Sequence, residues 1–310
     1  MKKDSLITVL GGHGFFGQSI IRQLKKQAYF NIAAPNHATL DLLDKNQVDN
    51  YLKNNPPEYI FMVAGLVGGI AGNMKRAADF LYENSLMVLN VLEAIKNYSP
   101  TTKILFAGST CIYPKVNPQP INEDRLLMGP LEETNKGYAI AKILGIVAGQ
   151  LYRQQYGLNA IAVMPTNMYG PHDNYDLENG HFLPSLIKKF VDAKTNNIPL
   201  TFWGTGQPRR EALFVDDCAT ACLYLMNNYN DPQIVNIGTG FDYSIKEFIE
   251  VLRTVLDYQG EITWDTTKPD GTFEKRTDIT RLKNIMPEFS PRSFPDGVKE
   301  TLAEDFKIKL

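Results

Sequence analysis

The fold is decided by residues 6–17, which read Leu-Ile-Thr-Val-Leu-Gly-Gly-His-Gly-Phe-Phe-Gly. A short β-branched apolar run is followed at once by glycines at positions 11, 14 and 17, and apolar residues at helical spacing come next. Such glycines allow a tight turn, let a pyrophosphate approach the amides at a helix N-terminus, and permit close packing of helix on strand. The stretch therefore predicts a dinucleotide-binding unit, although glycines alone would also suit an ordinary turn.

The rest of the first half continues this alternation of strands and helices. The predicted strands are 29–34, 59–64, 103–107 and 160–164, and the predicted helices between them include 77–96 and 138–156. This order predicts an α/β protein with a Rossmann-type doubly wound parallel sheet and a smaller C-terminal substrate-binding domain. We expect the dinucleotide-binding Rossmann domain to span 1–165, with 212–237 returning to it, and the substrate-binding domain to comprise 166–211 and 238–310.

The composition limits the classes of partner. The 310 residues include 32 Lys plus Arg and 34 Asp plus Glu, so the net charge of −2 gives no electrostatic case for nucleic acid or an anionic membrane. No apolar run reaches the roughly 18 residues of a membrane span, and the N-terminus lacks the pattern of a signal peptide. Three cysteines give no disulfide framework, and no histidine–carboxylate group has zinc-ligand spacing. We therefore expect a cytoplasmic protein with no metal, nucleic-acid or membrane partner.

Tyr138 and Lys142 give the most information about the reaction that the protein could catalyse. Positions i and i+4 share one face of a helix, so the phenol and the ammonium can point into one cleft. There the ammonium would lower the phenol pKa and suit it to acid–base work. Ser109 follows the fourth predicted strand, and ligands bind beyond the carboxyl ends of such strands. Ser109 would then hydrogen-bond the same substrate oxygen as Tyr138, or else serve as a capping serine.

The residues at the positions that would distinguish NAD from NADP follow neither of the two usual patterns. An acid about 20 residues after the glycine turn would bind the 2′-hydroxyl of NAD, and an arginine would suit the 2′-phosphate of NADP. Residues 35–37 are Pro-Asn-His, so neither is present at the end of that strand. His13 and His37 are the nearby candidates for the 2′-phosphate, although both would also be ordinary as solvated loop residues.

Six segments carry a resemblance to a known family. They are GSTCIYPK at 108–115, YAIAK at 138–142, PTNMYGPHDN at 165–174, VGGI at 67–70, WGTG at 203–206 and KPDGT at 268–272. Together they resemble the extended short-chain dehydrogenase/reductase superfamily and, within it, the GDP-L-fucose synthase family. The resemblance covers almost the whole chain. It implies an NADPH-dependent oxidoreductase with epimerase activity that converts a GDP-4-keto-6-deoxyhexose to GDP-L-fucose in nucleotide-sugar biosynthesis.

The resemblance also implies a role for each catalytic residue. Cys111 and His181 would act as base and acid in epimerisation, because protons beside a C4 ketone are acidic and both groups titrate near neutral pH. Tyr138 would protonate O4, Lys142 would hold the nicotinamide ribose, and Ser109 would orient the ketone. The residues implied to contact NADP(H) are Gly11, Gly12, His13, Gly14, Phe15, Phe16, Gly17, His37, Asp41, Leu42, Ala107, Gly108, Lys142, Pro165, Asn167, Met168 and His181. Those implied to contact the GDP-sugar are Lys189, Trp203, Arg210 and Asp270.

Several alternatives stay open at this point. Cys111 would also suit a small buried hydrophobe and His181 a loop hydrogen-bonder, while core packing is favoured for Cys218 and Cys222. A homodimer through helices near 77–96 and 138–156 is implied, yet these helices would equally serve to cover the sheet.

The sequence also departs from the family at positions that bear on function. Members usually carry Arg where this chain has His13 and His37, Arg in place of Lys189, and a Pro-Arg pair in place of residues 273–274, which are Phe-Glu. A C4-reductase of a related GDP-4-keto sugar such as a GDP-heptose, with or without epimerisation, is therefore the alternative function. A non-catalytic dinucleotide-binding module and an epimerase that retains NAD are the remaining readings.

Overall fold

The computed structural model describes residues 1–177, 180–268, 270 and 273–308, and of residues 70 and 71 the backbone alone. The strands, numbered along the chain, are β1 (Ile7–Leu10), β2 (Ile32–Ala33), β3 (Tyr59–Met62), β4 (Lys103–Ala107), β5 (Asn159–Pro165), β6 (Met168–Tyr169), β7 (Leu200–Trp203), β8 (Arg209–Glu211), β9 (Leu213–Phe214), β10 (Val235–Ile237), β11 (Asp242–Ser244), β12 (Ile262–Asp265) and β13 (Glu274–Lys275).

The helices fill the intervals between these strands. They are α1 (Phe15–Lys26), α2 (Lys45–Asn54), α3 (Ile70–Lys75), α4 (Ala77–Tyr98), α5 (Lys136–Tyr156), α6 (Phe182–Asn196), α7 (Val215–Asn228), α8 (Ile245–Val255), α9 (Thr280–Ile285) and α10 (Phe294–Asp305), with 3₁₀ turns at Thr110–Ile112, Glu123–Arg125 and Glu133–Asn135. In the described part of the chain, no helix combines the length and the apolar character needed to cross a membrane.

Six parallel strands form the central sheet in the order β10-β5-β4-β3-β1-β2. The predicted α/β fold with a Rossmann-type doubly wound sheet is thereby confirmed. The predicted strand at 29–34 is reduced to the two residues Ile32–Ala33, because β2 lies at the edge of the sheet and pairs with β1 alone. The carboxyl ends of these parallel strands meet at one edge, which is where ligands bind in such sheets.

The strands of the central sheet are buried on both faces. In β4, Leu105 packs in one apolar cluster with residues of α1 and α7, whereas Ile104 and Phe106 pack in another with residues of α2, α4 and α5. Near-continuous apolar runs are typical of parallel strands covered on both sides. A third apolar cluster lies away from the sheet and joins α6, α8 and α10 with β7. Smaller pairings occur there, including β7 with β12, and β8 with both β11 and β13.

The glycine turn between β1 and α1 adopts the close packing that its sequence predicts. Gly11 has a φ of +90°, in the left-handed region that favours glycine. A side-chain carbon on Gly17 would overlap the carbonyl oxygen of Gly11 and the Cα of Gly12, so the helix could not sit this close to the turn with any other residue there. The turn thus brings the N-terminus of α1 to the carboxyl edge of the sheet.

Candidate active site

The predicted phenol, ammonium and hydroxyl lie together beyond the carboxyl end of β4. Tyr138 and Lys142 are one turn apart on α5, and the Lys142 Nζ lies 5.6 Å from the centroid of the Tyr138 ring. The Ser109 hydroxyl is hydrogen-bonded to the Tyr138 phenol, and the same oxygen accepts a 3.2 Å hydrogen bond from the Cys111 backbone N–H. Ser109 therefore caps the 3₁₀ turn and also reaches the phenol, while its hydrogen bond to a substrate oxygen stays a prediction.

The Tyr138 phenol is harder to ionise than the sequence suggests. We expected the Lys142 ammonium to lower its pKa, but burial raises that pKa well above the usual value, and the nearby Cys111 thiol adds to the effect. The hydrogen bond from Ser109 acts weakly in the opposite direction. The prediction of a lowered pKa is therefore wrong for the protein without ligands. A phenol that keeps its proton is suited to act as an acid.

Lys142 is held by the backbone and not by a carboxylate. It is 4% exposed, and its Nζ donates a 2.8 Å hydrogen bond to the Ala107 carbonyl oxygen at the end of β4. The Nζ also lies 4.9 Å from the centroid of the Phe106 ring. Burial lowers the pKa of Lys142 to about 8, because water around the ammonium is lost and no acid among the described residues compensates for it. The ammonium is thus fixed beside the strand end.

The two residues implied in epimerisation are placed differently. Cys111 is half-buried on the 3₁₀ turn after β4, close enough to Tyr138 to affect its pKa. His181 lies at the N-terminal end of α6, and neither a hydrogen bond nor a ring contact joins it to Tyr138 or Cys111 within the described residues. Protein atoms around the imidazole lower the pKa of His181, although part of its surface is still accessible. The structure therefore places Cys111 near enough to the phenol to raise its pKa, whereas no effect of His181 on that pKa is found among the described residues.

A cleft of about 310 Å³ opens beside the glycine turn, within the size range of small-molecule sites. Of the residues predicted to contact the dinucleotide, it is lined by Gly11, His13, Gly14, His37, Asp41 and Leu42. The N-terminal amides of α1, which lack partners within the helix, lie at this turn and suit a pyrophosphate. Phe16 is buried in the core instead, and Gly12, Phe15 and Gly17 are not part of the lining.

The predicted residues of the nicotinamide end follow two neighbouring strands. Ala107 ends β4 and Gly108 follows it, and the Gly108 N–H donates a 2.8 Å hydrogen bond to the Val163 carbonyl of β5. Pro165 ends β5, and Asn167 and Met168 follow it. The side-chain amide of Asn167 donates a 3.2 Å hydrogen bond to the Glu211 carbonyl, so it anchors the chain where it leaves the sheet. These residues thus share the edge that carries Tyr138.

Two of the four residues predicted to bind the GDP-sugar lie near each other. Trp203 ends β7 and is 73% exposed, with the Lys268 Nζ 5.7 Å from its ring centroid. Asp270 accepts hydrogen bonds from Thr205, at 2.9 Å from the backbone N–H and 2.6 Å from the hydroxyl, and these lower its pKa. The segment that follows Trp203 is thereby joined to the segment around Asp270. Pro269, Gly271 and Thr272 of the KPDGT segment lie outside the described residues.

The other two residues predicted to bind the GDP-sugar, Arg210 and Lys189, lie on other elements than Trp203 and Asp270. Arg210 lies on β8, its Nη1 donates a 2.7 Å hydrogen bond to the Arg209 carbonyl, and burial lowers its pKa. Lys189 is exposed on α6, about two turns after His181. Glu274, which stands where members of the family usually carry Arg, is half-buried on β13 and lies 3.6 Å from the Arg276 guanidinium. The acid at position 274 is thus balanced by a cation of this same chain.

Sequence reasoning missed the second wall of the dinucleotide cleft. Glu83 and Met87 of α4 line it together with Leu66, which follows β3. Asn84 holds this wall in place, because its side chain accepts a 2.8 Å hydrogen bond from the Leu66 N–H and donates one of 3.1 Å to the Leu66 carbonyl. A buried amide within an apolar helix is the signal that could have indicated a structural role for Asn84. Within the described residues, no group of three or more His, Cys, Asp or Glu side chains could hold a metal ion.

Comparison with known proteins agrees with this geometry. Residues 7–238 match the model of the NAD dependent epimerase/dehydratase family. The GDP-L-fucose synthase of Sinorhizobium fredii is 44% identical over 280 residues, which cover 90% of this chain and 88% of that protein.

Solved structures give the same result. A GDP-L-fucose synthetase from Naegleria fowleri bound to NADP superimposes with a TM-score of 0.92 at 28% identity, covering 99% of this chain and 94% of that one. A GDP-6-OMe-4-keto-L-xylo-heptose reductase from C. jejuni superimposes with a TM-score of 0.91 at 29% identity, covering 99% of both chains. The chain is therefore similar, over nearly its full length, to enzymes that act on GDP-linked keto sugars.

Proposed function

The chain belongs to the NAD dependent epimerase/dehydratase family, and we propose that within it the protein is an NADPH-dependent 3,5-epimerase and 4-reductase of a GDP-4-keto-6-deoxyhexose, with GDP-L-fucose as product. One observation carries this proposal: the Tyr138 phenol is hydrogen-bonded to the Ser109 hydroxyl beyond the carboxyl end of β4, and Cys111, whose backbone N–H bonds to the same hydroxyl, is near enough to affect the phenol pKa. A reductase needs the first two at its ketone, and an epimerase needs a thiol or a similar group within reach of the neighbouring carbons.

NADPH fits the groups present, and when bound it supplies the hydride for C4. The glycine turn and the N-terminus of α1 would hold its pyrophosphate, and residues after β4 and β5 would hold its nicotinamide end. Lys142, which the backbone fixes beside Ala107, would contact the nicotinamide ribose. These assignments rest on the position of the cleft and on the family resemblance.

In the reduction, Ser109 donates a hydrogen bond to the C4 carbonyl oxygen and fixes the ketone. Tyr138 transfers its phenol proton to this oxygen as negative charge develops on it. The raised pKa of Tyr138 suits this role, because the proton remains on the phenol until the substrate oxygen becomes basic enough to accept it. Lys142 then stabilises the phenolate that is left behind, since its ammonium lies close to the ring.

In the epimerisation, Cys111 removes and His181 returns the protons at C3 and C5. The carbanion formed beside a ketone is delocalised onto the C4 oxygen, where Ser109 and Tyr138 would donate hydrogen bonds to it. Burial lowers the pKa of His181, so the imidazolium is a stronger proton donor than an imidazolium in water when it carries the proton. Because no direct hydrogen bond joins His181 to Cys111 among the described residues, we propose that the two groups reach the same sugar ring from different elements, α6 and the 3₁₀ turn after β4.

The alternative function is the C4-reduction of a related GDP-4-keto sugar such as a GDP-heptose, with or without epimerisation. Its support is the similarity to a heptose reductase and the presence of Glu274 in place of a cation.

The test is to incubate the full chain with NADPH and GDP-4-keto-6-deoxymannose in heavy water and to identify the product by NMR and mass spectrometry. Oxidation of NADPH with deuterium at C3 and C5 supports the epimerase and reductase. Reduction without deuterium supports the alternative, and a folded chain that oxidises no NADPH with either class of sugar contradicts both.

The domain division, the assembly and the location are proposed on separate grounds. Pairing of β10 with β5 supports a dinucleotide domain of 1–165 and 212–237, and the third apolar cluster supports a substrate domain of 166–211 and 238–310. Exposed apolar side chains such as Tyr82 on α4 and Leu151 on α5 support a homodimer through these helices. The free thiols of the three cysteines fit a reducing compartment such as the cytoplasm.

A further inference from the structure

We propose that Tyr113 and Asn236 are positioning residues for the epimerisation step, because the hydrogen bond between them fixes the turn that carries Cys111 to the edge strand of the central sheet. The inference rests on the proposed function, since it concerns one step of that reaction. It is carried by the hydrogen bonds around Asn236 and by the burial of the residues that follow Cys111.

The 3₁₀ turn that carries Cys111 is held from both of its ends. On the side of β4, the Cys111 N–H donates a 3.2 Å hydrogen bond to the Ser109 hydroxyl. On the other side lies Tyr113, which is 1% exposed and whose ring packs in the apolar cluster shared with α2, α4 and α5. The Tyr113 phenol donates a 2.6 Å hydrogen bond to the Asn236 Oδ1. The residue with the thiol therefore lies between one contact near β4 and one contact on β10.

Asn236 is a rigid partner for this bond. It lies on β10, which is the edge strand beside β5, and its side chain is fully buried. Its backbone N–H donates a 2.9 Å hydrogen bond to the Glu123 carboxylate, and its side-chain amide donates one of 3.0 Å to the Ile121 carbonyl and one of 3.1 Å to the Asp278 carbonyl. Because both protons of the amide nitrogen are used, the orientation of the amide is fixed and its oxygen faces Tyr113.

The Tyr113 phenol is a lasting donor in this bond. Burial raises the pKa of Tyr113 well above its usual value, so the phenol keeps its proton near neutral pH. A buried acceptor that loses its donor is not compensated by water, so the loss of this hydroxyl would leave the Asn236 oxygen unsatisfied. The bond therefore holds the end of the turn in one place while the proton of Tyr113 takes no part in the reaction.

The two steps of the proposed reaction depend on this bond to different degrees. Reduction uses Tyr138 on α5 and Ser109 near the end of β4, and both lie on the other side of the turn from Tyr113. Epimerisation needs the Cys111 thiol at the carbons beside the ketone, and a misplacement of about 1 Å can lower a rate by about a hundredfold. Release of the turn beyond Cys111 should therefore slow proton exchange more than hydride transfer.

The test is Tyr113→Phe in the full chain, which keeps the buried ring and removes the hydroxyl. Deuterium incorporation at C3 and C5 of GDP-4-keto-6-deoxymannose in heavy water measures exchange, and NADPH oxidation with a substrate that is already epimerised measures reduction. Because the ring and the buried Ile112 stay in the core, the shift of the turn should be less than 1 Å. We expect exchange to fall by roughly tenfold and reduction to change by less than about twofold.

Tyr258→Phe is the matched control. Tyr258 is also buried, and its phenol donates a 2.6 Å hydrogen bond to the Ile198 carbonyl within the third apolar cluster, so both rates should stay as in the wild type. The ratio of exchange to reduction separates a positioning role from a general loss of folded protein, because such a loss lowers both rates alike.

Alkylation of the Cys111 thiol by iodoacetamide is a second measurement, and it needs no sugar. Cys111 is half-buried, whereas Cys218 and Cys222 are fully buried and should stay unreactive in the folded chain. The rate of Cys111 alkylation should rise in the Tyr113 variant, because a turn that is released at one end exposes its thiol more often.

The outcomes separate this inference from the proposed function. If exchange falls no further than reduction in the Tyr113 variant, or if alkylation of Cys111 is unchanged there, the inference is overturned and the proposed function stays intact. A wild-type chain that reduces the sugar without incorporating deuterium contradicts the epimerase and the positioning role together.

Discussion

Lys142 and Trp203 show how differently the two regions of the candidate site are held. In the first region, which comprises the ends of β4 and β5 and the start of α5, Lys142 is 4% exposed and is hydrogen-bonded to the backbone of β4. In the second region, which comprises the described residues of 203–210 and 268–275, Trp203 is 73% exposed, and the two segments are joined by the bonds of Thr205 to Asp270 and by the pairing of β8 with β13. The first region is therefore fixed by buried contacts, whereas the Trp203 side chain of the second region is open to solvent.

The reason lies in the elements that carry each region. Parallel strands buried on both faces end at fixed positions, so the residues that follow them are fixed as well. Exposed loops have few buried contacts and open at lower free-energy cost. Substitutions in the first region should therefore affect the chemical step, and substitutions in the second should affect binding.

The largest effect is expected for Tyr138→Phe, which removes the proton donor for O4. We expect kcat for NADPH oxidation to fall by about a thousandfold while NADP⁺ still binds, because general acid catalysis contributes factors of about 10² to 10⁴. Tyr156→Phe on the same helix is the matched control, since this ring is half exposed and lies at the far end of α5. If the Tyr138 variant kept a tenth of the activity, the first region would not hold the acid.

Cys111→Ser should lower the epimerisation rate by about a hundredfold, because a hydroxyl is a far poorer base than a thiol near neutral pH. Deuterium incorporation at C3 and C5 measures this step, and reduction of a substrate that is already epimerised should be preserved. Tyr138→Phe provides the reciprocal comparison, since it should lose reduction but keep part of the exchange, for which the Ser109 hydrogen bond to the C4 oxygen remains. Normal exchange in the serine variant would show that another group removes the protons.

Lys142→Met should stabilise the free protein by about 2 kcal/mol at pH 7 while it impairs turnover, because a buried ammonium without an acidic partner is costly. The pKa of Lys142 is near 8 in the folded protein and 10.5 otherwise, so the unfolded chain binds more protons between these values. Wild-type stability from this group therefore rises from pH 8 to 10.5, and the advantage of the variant should shrink over that range.

Chemical unfolding of the Lys142 variant at about pH 7 and about pH 10 checks both statements. Lys136→Met on the same helix is the control, because Lys136 is exposed and pairs with Glu133, and it should change the free energy of unfolding by less than about 0.5 kcal/mol. A Lys142 variant that is less stable than the wild type at pH 7 would mean that the hydrogen bond to Ala107 outweighs the cost of burying the charge.

The smallest effect is expected for the contact that joins the second region. Thr205→Val and Asp270→Ala should each raise KM for the GDP-sugar about fivefold with kcat nearly unchanged, because uniform binding is lost and the chemistry is not. Thr267→Val is the control, since Thr267 bonds to Asp265 within its own loop. An unchanged KM in the Thr205 variant, together with a raised KM for Asp270→Ala, would show that Asp270 acts on the sugar alone.

The two regions also differ in how well the sequence predicted them. The glycine turn, the parallel strands and the juxtaposition of Tyr138, Lys142 and Ser109 followed from periodicity and from the rule for strand ends. The hydrogen bonds between Asp270 and Thr205 connect positions 65 residues apart, and no local pattern reveals them. The cleft wall supplied by Glu83 and Met87 was missed for the same reason, because it depends on how α4 crosses the sheet.

The sequence by itself determined the sheet, the glycine turn and the residues that follow each strand, because these depend on side-chain periodicity and on backbone freedom at single positions. The tertiary structure determined which of those residues are buried and what surrounds them, and thereby the direction in which their pKa values shift. The Tyr138 pKa is raised and not lowered because burial outweighs an ammonium that is directed at the Ala107 carbonyl. Desolvation is the sum of all surrounding atoms, and a spacing of four residues contains no information about it.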